Sequence, residues 1–239
     1  MDKLKKIRSI RETLKRGNPS LGSWIQIPNA SISEIIGQAG YDWAAVDMEH
    51  GSISLNQLPD LFRALELGNT LPLVRVAKGD PKECKQALDA GAGGLIIPMV
   101  ESAKQLKEII KCMSWPPSGT RGVGFSRANL FGKNFNDYLK EAQEPFVVAM
   151  IEHINAVQQL DDILNVKGLD AILIGPYDLS ASMKITAKFN DQNFLDIMQV
   201  IKNKSLHSLT NPIIFSSKSI VKQRETPANS IVFLSSNTN

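Results

Sequence analysis

The strongest constraint on this chain is a rhythm. Eight short runs rich in apolar and β-branched residues alternate with stretches of helical periodicity. The runs are residues 22–27, 43–47, 73–76, 94–98, 146–151, 171–174, 213–215 and 231–234. The helical stretches between them are 31–39, 55–67, 81–90, 102–112, 156–164 and 193–206. Apolar residues recur in these every three or four positions, as in Leu58, Leu61, Phe62 and Leu65, or Leu106, Ile109 and Ile110, which places them on one helical face. Pro81 opens its helix in the first turn, where a missing N–H costs little. Runs such as Leu95-Ile96-Ile97 and Ala171-Ile172-Leu173-Ile174 are continuously apolar, the mark of strands covered on both faces. Eight such strands with intervening helices predict an α/β fold, a closed (β/α)8 TIM barrel. An open doubly wound sheet is the competitor, weakened because no Gly-x-Gly-x-x-Gly turn follows the first strand.

The chain reads as a single domain over residues 1–239. An N-terminal helix lies within 1–18, with Leu4, Ile7, Ile10 and Leu14 on one face, and a divergent tail spans 203–239. Two segments break the rhythm. Residues 115–145 form a connection much longer than the usual barrel loop and rich in Gly, Arg and aromatic residues, which predicts a functional loop. The tail is rich in Ser, Asn, Thr and Lys, its expected helix after the seventh strand is short and contains Pro227, and no helix is expected after the eighth strand. The C-terminal end of the barrel is thus expected to be truncated or divergent.

Composition narrows the function classes. With 239 residues, 43% of them hydrophobic, the chain can bury one sizeable core. A formal net charge of only +3 gives no field to attract nucleic acid or an anionic membrane. The apolar runs are too short to span a bilayer, and the charged N-terminus lacks the apolar stretch of a signal peptide. A cytoplasmic protein is expected. Cys84 and Cys112 fit two reduced thiols on helices rather than a disulfide framework, and two cysteines alone make no structural zinc site.

In a TIM barrel the chemistry sits at the C-terminal ends of the strands. Five consecutive strands end in charged groups: Asp47-Met48-Glu49-His50, Arg75, Glu101, Glu152-His153 and Asp178. Glu152 and Asp178 follow adjacent strands with apolar flanks. Two carboxylates brought together either raise one pKa or hold a cation between them, and an oxygen-only pair suits a hard divalent ion. The plainer alternative for each is a helix cap or an arginine partner. Asp47 stands three residues before His50, and an Asp–His pair commonly fixes a tautomer for acid/base work. The alternative is an ordinary loop histidine, with Glu49 bonding backbone amides in the turn. Arg75 inside an apolar strand needs an anion, either substrate or an internal partner such as Asp47 or Glu49. His153 is expected to point away from the rim, and His207 has no assigned role.

These strand ends resemble the HpcH/HpaI aldolase family, the class II pyruvate aldolases that include 4-hydroxy-2-oxoheptanedioate and 2-keto-3-deoxy-L-rhamnonate aldolases. The resemblance runs from about residue 21 to 183. Its most specific pieces are Asp47-Met48-Glu49-His50-Gly51, Pro98-Met99-Val100-Glu101, the run from Pro116 to Gly124, and Gly175-Pro176-Tyr177-Asp178-Leu179-Ser180. It implies a TIM barrel of the phosphoenolpyruvate/pyruvate type and a metal-dependent aldolase that reversibly cleaves a 4-hydroxy-2-oxo acid into pyruvate, or a related 2-oxo acid, and an aldehyde. Glu152 and Asp178 would be the ligands of a divalent ion (Mg2+, Mn2+ or Co2+). Arg75 would steady the enolate oxygen, and His50, oriented by Asp47, would act on the aldol hydroxyl, directly or through a water. Met150, Gly175, Pro176, Tyr177 and Ser180, with Arg75, would line the substrate site. The family also implies a homo-oligomer, a hexamer built as a trimer of dimers.

The sequence departs from the family in places. Met150 stands where glutamine is frequent, Tyr177 where a small residue is usual, and Asn237 where aspartate is common. The further C-terminal helix that packs in family oligomers has no counterpart here. Two other readings use the same residues: a lyase acting on acyl-CoA thioesters of the citrate lyase β-subunit or malyl-CoA type, and a barrel that binds a 2-oxo acid without turnover. No convincing basic cluster for a CoA moiety is visible, and a pure binder has no need of an acid/base pair. No lysine ends a strand, which argues against Schiff-base chemistry.

Overall fold

The structure, a computed structural model, describes residues 1–207 and 231–233. Six strands form a parallel sheet: β1 (Ser20–Ile25), β2 (Trp43–Asp47), β3 (Leu71–Arg75), β4 (Gly94–Ile97), β5 (Phe146–Ile151) and β6 (Ala171–Ile174). They lie side by side in chain order, each pairing in parallel with the next. The first six predicted strands are therefore present within a few residues of their expected bounds. Between them run α2 (Ala30–Gln38), α3 (Leu58–Leu67), α4 (Pro81–Ala90), α5 (Ala103–Met113), α6 (Phe135–Glu141) and the short pair α7 (Ile154–Gln158) and α8 (Leu160–Leu164). After β6 come α9 (Pro176–Ser182) and α10 (Gln192–His207). The arrangement is the curled half of a TIM barrel.

The last strands differ from expectation. The run at 213–215 lies outside the described residues, as does Pro227. The run at 231–234 does form a strand, β7 (Ile231–Phe233), but it pairs antiparallel with β1. An eighth barrel strand would run parallel to the first, so among the described residues the ring is not closed in the predicted way. Among them also, no helix is long and apolar enough to cross a membrane.

Strand periodicity sorts the sheet into two faces. Ala44, Val46, Val74, Leu95, Ile97, Val147, Ala149, Ile151, Ile172 and Ile174 point outward into a core shared with the helices. Trp43, Ala45, Leu71, Leu73, Ile96, Phe146, Val148, Met150, Ala171 and Leu173 point inward and form a second cluster. Gly22 faces that cluster, where a Cβ would come within 2.2 Å of the Trp43 ring, so glycine is needed for the indole to fill the barrel floor.

The floor is plugged by α1 (Lys3–Lys15), which buries Ile7, Ile10 and Leu14 against the first residues of the strands, including Trp43, Leu71, Phe146 and Ala171. Asp2 caps the helix by accepting the Lys5 N–H at 2.9 Å. Ion pairs tie its polar edge to the residues that precede two strands: Lys6 to Asp42 at 3.2 Å and Arg11 to Asp170 at 2.6 Å. The N-terminal end of the barrel is thus sealed, and the opposite end is left for chemistry.

The long connection at 115–145 is folded rather than slack. Trp115, Tyr138 and Ala142 make a small satellite core with Phe135. Arg121 is buried in it, donates to Tyr138 Oη at 2.9 Å and stacks over Trp115. Arg127 pairs with Glu66 at 3.1 Å. One arginine of this loop thus braces its own small core, and the other ties the loop to the barrel helices.

If α1 is a structural plug, Ile10→Ala will lower unfolding free energy by about 2–4 kcal/mol, the usual cost of a buried large-to-small change. Urea denaturation measures it, and a loss below ~1 kcal/mol would mean that the plug packs only loosely.

Candidate active site

The inward register continues past the ends of the strands, and the polar residues begin where the inner apolar cluster stops. Trp24 and Gln26 extend the inward positions of β1, Asp47 those of β2, Arg75 those of β3 and Glu152 those of β5. Asp47 and Arg75 are register partners across β2 and β3. Arg75 donates from Nε to Asp47 Oδ1 at 2.8 Å and from Nη2 to Oδ2 at 2.5 Å, a bidentate pair. Asp47 also accepts from Trp24 Nε1 at 3.0 Å, Gln26 Nε2 at 2.9 Å, and the backbone N–H groups of Glu49 and His50 at 3.1 and 3.2 Å. The guanidinium lies 4.9 Å from the Trp24 ring centroid. Its Nη1 is 3.1 Å from Glu49 Oε2, at an angle that makes no hydrogen bond, and this buried oxygen has no hydrogen-bond partner.

Glu152 is buried, and its Oε1 accepts the Met99 N–H at 2.7 Å. Met99 takes a left-handed backbone conformation, φ 49°, which turns its N–H toward that oxygen. Gln105 braces the turn by donating to Met99 O at 3.0 Å. The other carboxylate oxygen lies against Gly175, where a Cβ would sit 2.4 Å from Oε2. Gly175 and Pro176 then start α9, which carries Asp178 in its first turn, exposed at the rim.

The electrostatics follow from this crowding. Burial alone would raise the Asp47 carboxyl, but the hydrogen bonds from Arg75, Trp24, Gln26 and the His50 backbone outweigh it and hold it well below the usual range. Glu152 goes the other way. Burial, reinforced by the charges of Glu49 and Asp178, pushes it up to about 7, against the opposing pull of the Met99 N–H and Arg75. Burial also raises Glu49, with Asp47 and Asp178 adding to the effect and Arg75 and His50 opposing it. Four carboxylates (Asp47, Glu49, Glu152 and Asp178) thus face one guanidinium. Such a surplus of negative charge around a buried carboxylate and an orphaned carboxylate oxygen fits a hard divalent cation. Among the described residues no set of three or more His, Cys, Asp or Glu side chains is already arranged as a ligand cage.

Several expectations are changed by the geometry. The Asp47 carboxylate contacts the backbone N–H of His50, and the nearest carboxylate to the imidazole is Glu49, whose Oε2 is 3.9 Å from Nε2. Asp47 orients the turn that carries His50, and its charge is committed to Arg75. Ser180 is fully buried, donates to the Tyr177 carbonyl at 2.8 Å and accepts the Ala187 N–H at 3.0 Å. Its hydroxyl folds the segment after α9. Met150 is buried in the inner cluster directly beneath the rim. Tyr177 is exposed, its ring edge-on to Phe189 at 5.0 Å. His153 caps α7 and sits 3.4 Å from Glu101, away from the inner rim as expected. Sequence reasoning missed Trp24, Gln26 and Met99. The first two lie at alternating positions of the predicted first strand, but the sequence does not say which of its faces points inward. Nothing in the sequence foretells the left-handed turn at Met99.

The raised Glu152 carboxyl carries a sign. Between about 4.5, its ordinary value, and about 7, the folded state keeps a proton that the unfolded chain has lost. Stability of the metal-free protein should therefore fall as pH rises through that window. Chemical denaturation at a series of pH values is expected to show this decline in the parent and a flatter profile in Glu152→Gln. An equal decline in both would assign it to another group.

Residues 20–209 match the family model described as HpcH/HpaI aldolase/citrate lyase. The chain is 38% identical over 184 residues to the hydroxypyruvate/pyruvate aldolase of Agrobacterium fabrum, covering 76% of this chain and 69% of that protein. It is 36% identical over 178 residues to the 4-hydroxy-2-oxo-heptane-1,7-dioate aldolase of Salmonella arizonae, covering 73% and 67%. The crystal structure of an HpcH/HpaI aldolase/citrate lyase family protein from Burkholderia cenocepacia superposes with a TM-score of 0.80 at 29% identity, covering 87% of this chain and 84% of that one. With its parallel half-barrel and acidic strand-end site, the chain belongs to the HpcH/HpaI aldolase/citrate lyase family.

Proposed function

We propose that this chain is a class II aldolase, a carbon–carbon lyase that cleaves a 4-hydroxy-2-oxo acid into pyruvate, or a related 2-oxo acid, and an aldehyde. The observation that carries the reading is the buried Glu152 carboxylate, set among Glu49 and Asp178 on the same rim as the Arg75 guanidinium. Carbon–carbon cleavage leaves an enolate, and a site for it must stabilise negative charge next to groups that move a proton. Glu152 and Asp178 would hold a divalent ion, Mg2+, Mn2+ or Co2+. When bound, that ion supplies Lewis acidity toward the 2-oxo acid and offsets the charge of the enolate.

The chain's own residues do the rest. Arg75 spends Nε–H and one Nη2–H on Asp47, so of its five N–H donors the remaining three would be open to the enolate oxygen, with Nη1 3.1 Å from Glu49 Oε2. Asp47 fixes the guanidinium plane, and Trp24 supports it from one face. His50, with its side chain 62% exposed at the rim, takes the proton from the C4 hydroxyl as the C3–C4 bond breaks, and the aldehyde leaves. The pyruvate enolate is then protonated at C3, which becomes the methyl group. Gly175, Pro176 and Tyr177 lie at the start of α9 beside the carboxylates, on the side where the 2-oxo acid's carboxylate would approach. Met150, buried in the inner cluster beneath the rim, would give the substrate an apolar floor. The protein is taken to be a cytoplasmic, single-domain homo-oligomer that uses small-molecule substrates and engages neither nucleic acid nor a membrane.

Exchange of the methyl protons of pyruvate in deuterated buffer, followed by NMR, tests the enolate step without knowledge of the aldehyde. Exchange is expected to require a divalent ion and to vanish in Glu152→Gln. Arg75→Lys keeps a cation beside Asp47 but loses the planar fork, and exchange should slow by roughly 10²–10³-fold. A folded protein that exchanges no protons with any of the three metals would overturn the proposal.

A further inference from the structure

The chain has only two cysteines, and the fold brings them together far from the chemistry described above. Cys84 lies within α4 and Cys112 next to the end of α5. The two helices pack side by side on the outside of the sheet, flanking β4. Cys84 is fully buried in the outer core, while Cys112 packs against the same core and remains partly open to solvent. The two thiols act on one another across that interface, and the Cys112 thiol donates to the Ile109 carbonyl at 3.0 Å. A thiol pair on two packed helices in one core, with one member sheltered and the other accessible, has the layout of a reacting and a resolving cysteine.

The local electrostatics agree with that division. The interaction with Cys112, together with burial, pushes the Cys84 thiol up, and the same interaction pulls Cys112 down. Burial, and after it the carboxylates of Asp80 and Glu108, oppose the shift at Cys112. Reactivity toward oxidants follows thiolate content and access, and both favour Cys112. No role in the aldolase site is open to either sulfur, because both lie on the outer face of the sheet and the carboxylates lie on the inner one.

We propose that Cys84 and Cys112 form a peroxide-responsive dithiol site that closes reversibly to a disulfide between α4 and α5. The Cys112 thiolate attacks hydrogen peroxide, breaking the O–O bond to give a sulfenic acid and, with one proton, a water. The Cys84 sulfur then attacks the sulfenic sulfur, its proton leaving with the hydroxyl as a second water. Two thiols lose two electrons and one peroxide becomes two waters. A dithiol reductant reverses the step by exchange through a mixed disulfide. A pair of this kind suits a compartment that keeps thiols reduced at rest, and the ready partner protects Cys112 from irreversible oxidation to the sulfinic acid.

The test uses the whole folded protein, treated with a few equivalents of hydrogen peroxide and quenched by alkylation under denaturing conditions. Intact-mass spectrometry should show the loss of two hydrogens and no alkylation of either cysteine. Peptide mapping should join the Cys84 peptide to the Cys112 peptide, and dithiothreitol should restore two alkylatable thiols. In Cys84→Ser the resolving thiol is gone, so Cys112 should be trapped by dimedone as the sulfenic acid. Three results would overturn the proposal: two free thiols after oxidation, a sulfinic Cys112 beside a free Cys84, or a disulfide between two chains.

Discussion

The site rests on one interaction, the buried bidentate pair between Asp47 and Arg75. It joins the ends of two neighbouring strands at matched register. Neither charge could stay there alone. An unpaired buried charge costs several kcal/mol, and removing one partner of such a pair typically costs about 3–5 kcal/mol. Trp24, Gln26 and two backbone N–H groups complete the shell of Asp47, so the carboxylate is held from three segments of chain. The consequence is a guanidinium whose plane and position are set before any substrate arrives. Pre-set charge of that kind is what stabilises a developing oxyanion without reorganisation.

The second constraint is the accommodation of Glu152. Among the described residues its carboxylate has only the Met99 N–H as a donor, with the bare Cα of Gly175 on its other side. A methyl group at Gly175 would occupy the space of an oxygen. The left-handed turn at Met99 and the glycine at 175 therefore serve one purpose, to hold a carboxylate in a place where it resists ionisation. Glu49 and Asp178 sharpen that resistance. A divalent cation would reverse its sign, turning mutual repulsion among the carboxylates into shared attraction, which links their crowding to the proposed chemistry.

Much of this was legible in the sequence because strand ends are legible. Asp47, Arg75 and Glu152 each follow an apolar run, and the barrel rule that chemistry sits at strand C-termini selects them. The inner and outer faces were less visible. The runs are apolar throughout, so composition does not say which side is which, and only the register shows that Trp24 and Gln26 share a face with Asp47. The helix α9 was read as part of a strand exit, since Pro176 and Gly175 suggest a turn as readily as a helix start. Ser180 looked available because it belongs to a motif, whereas its hydroxyl is used in folding the next loop. The Asp47–His50 spacing suggested a side-chain pair, but Arg75 sits opposite Asp47 in register and takes both its oxygens. β7 was found in the right place and the wrong direction, because an apolar run carries no sign of strand polarity.

The most direct test of the account is pyruvate release from a racemic 4-hydroxy-2-oxo acid, read through NADH oxidation by added lactate dehydrogenase. The protein would first be stripped with a chelator and then supplied with magnesium, manganese or cobalt. The account requires no release from the stripped protein, recovery with at least one metal, and no recovery in Glu152→Gln. Release that continues without metal and is indifferent to Glu152 would contradict it, as would a folded, metal-supplied protein that releases none.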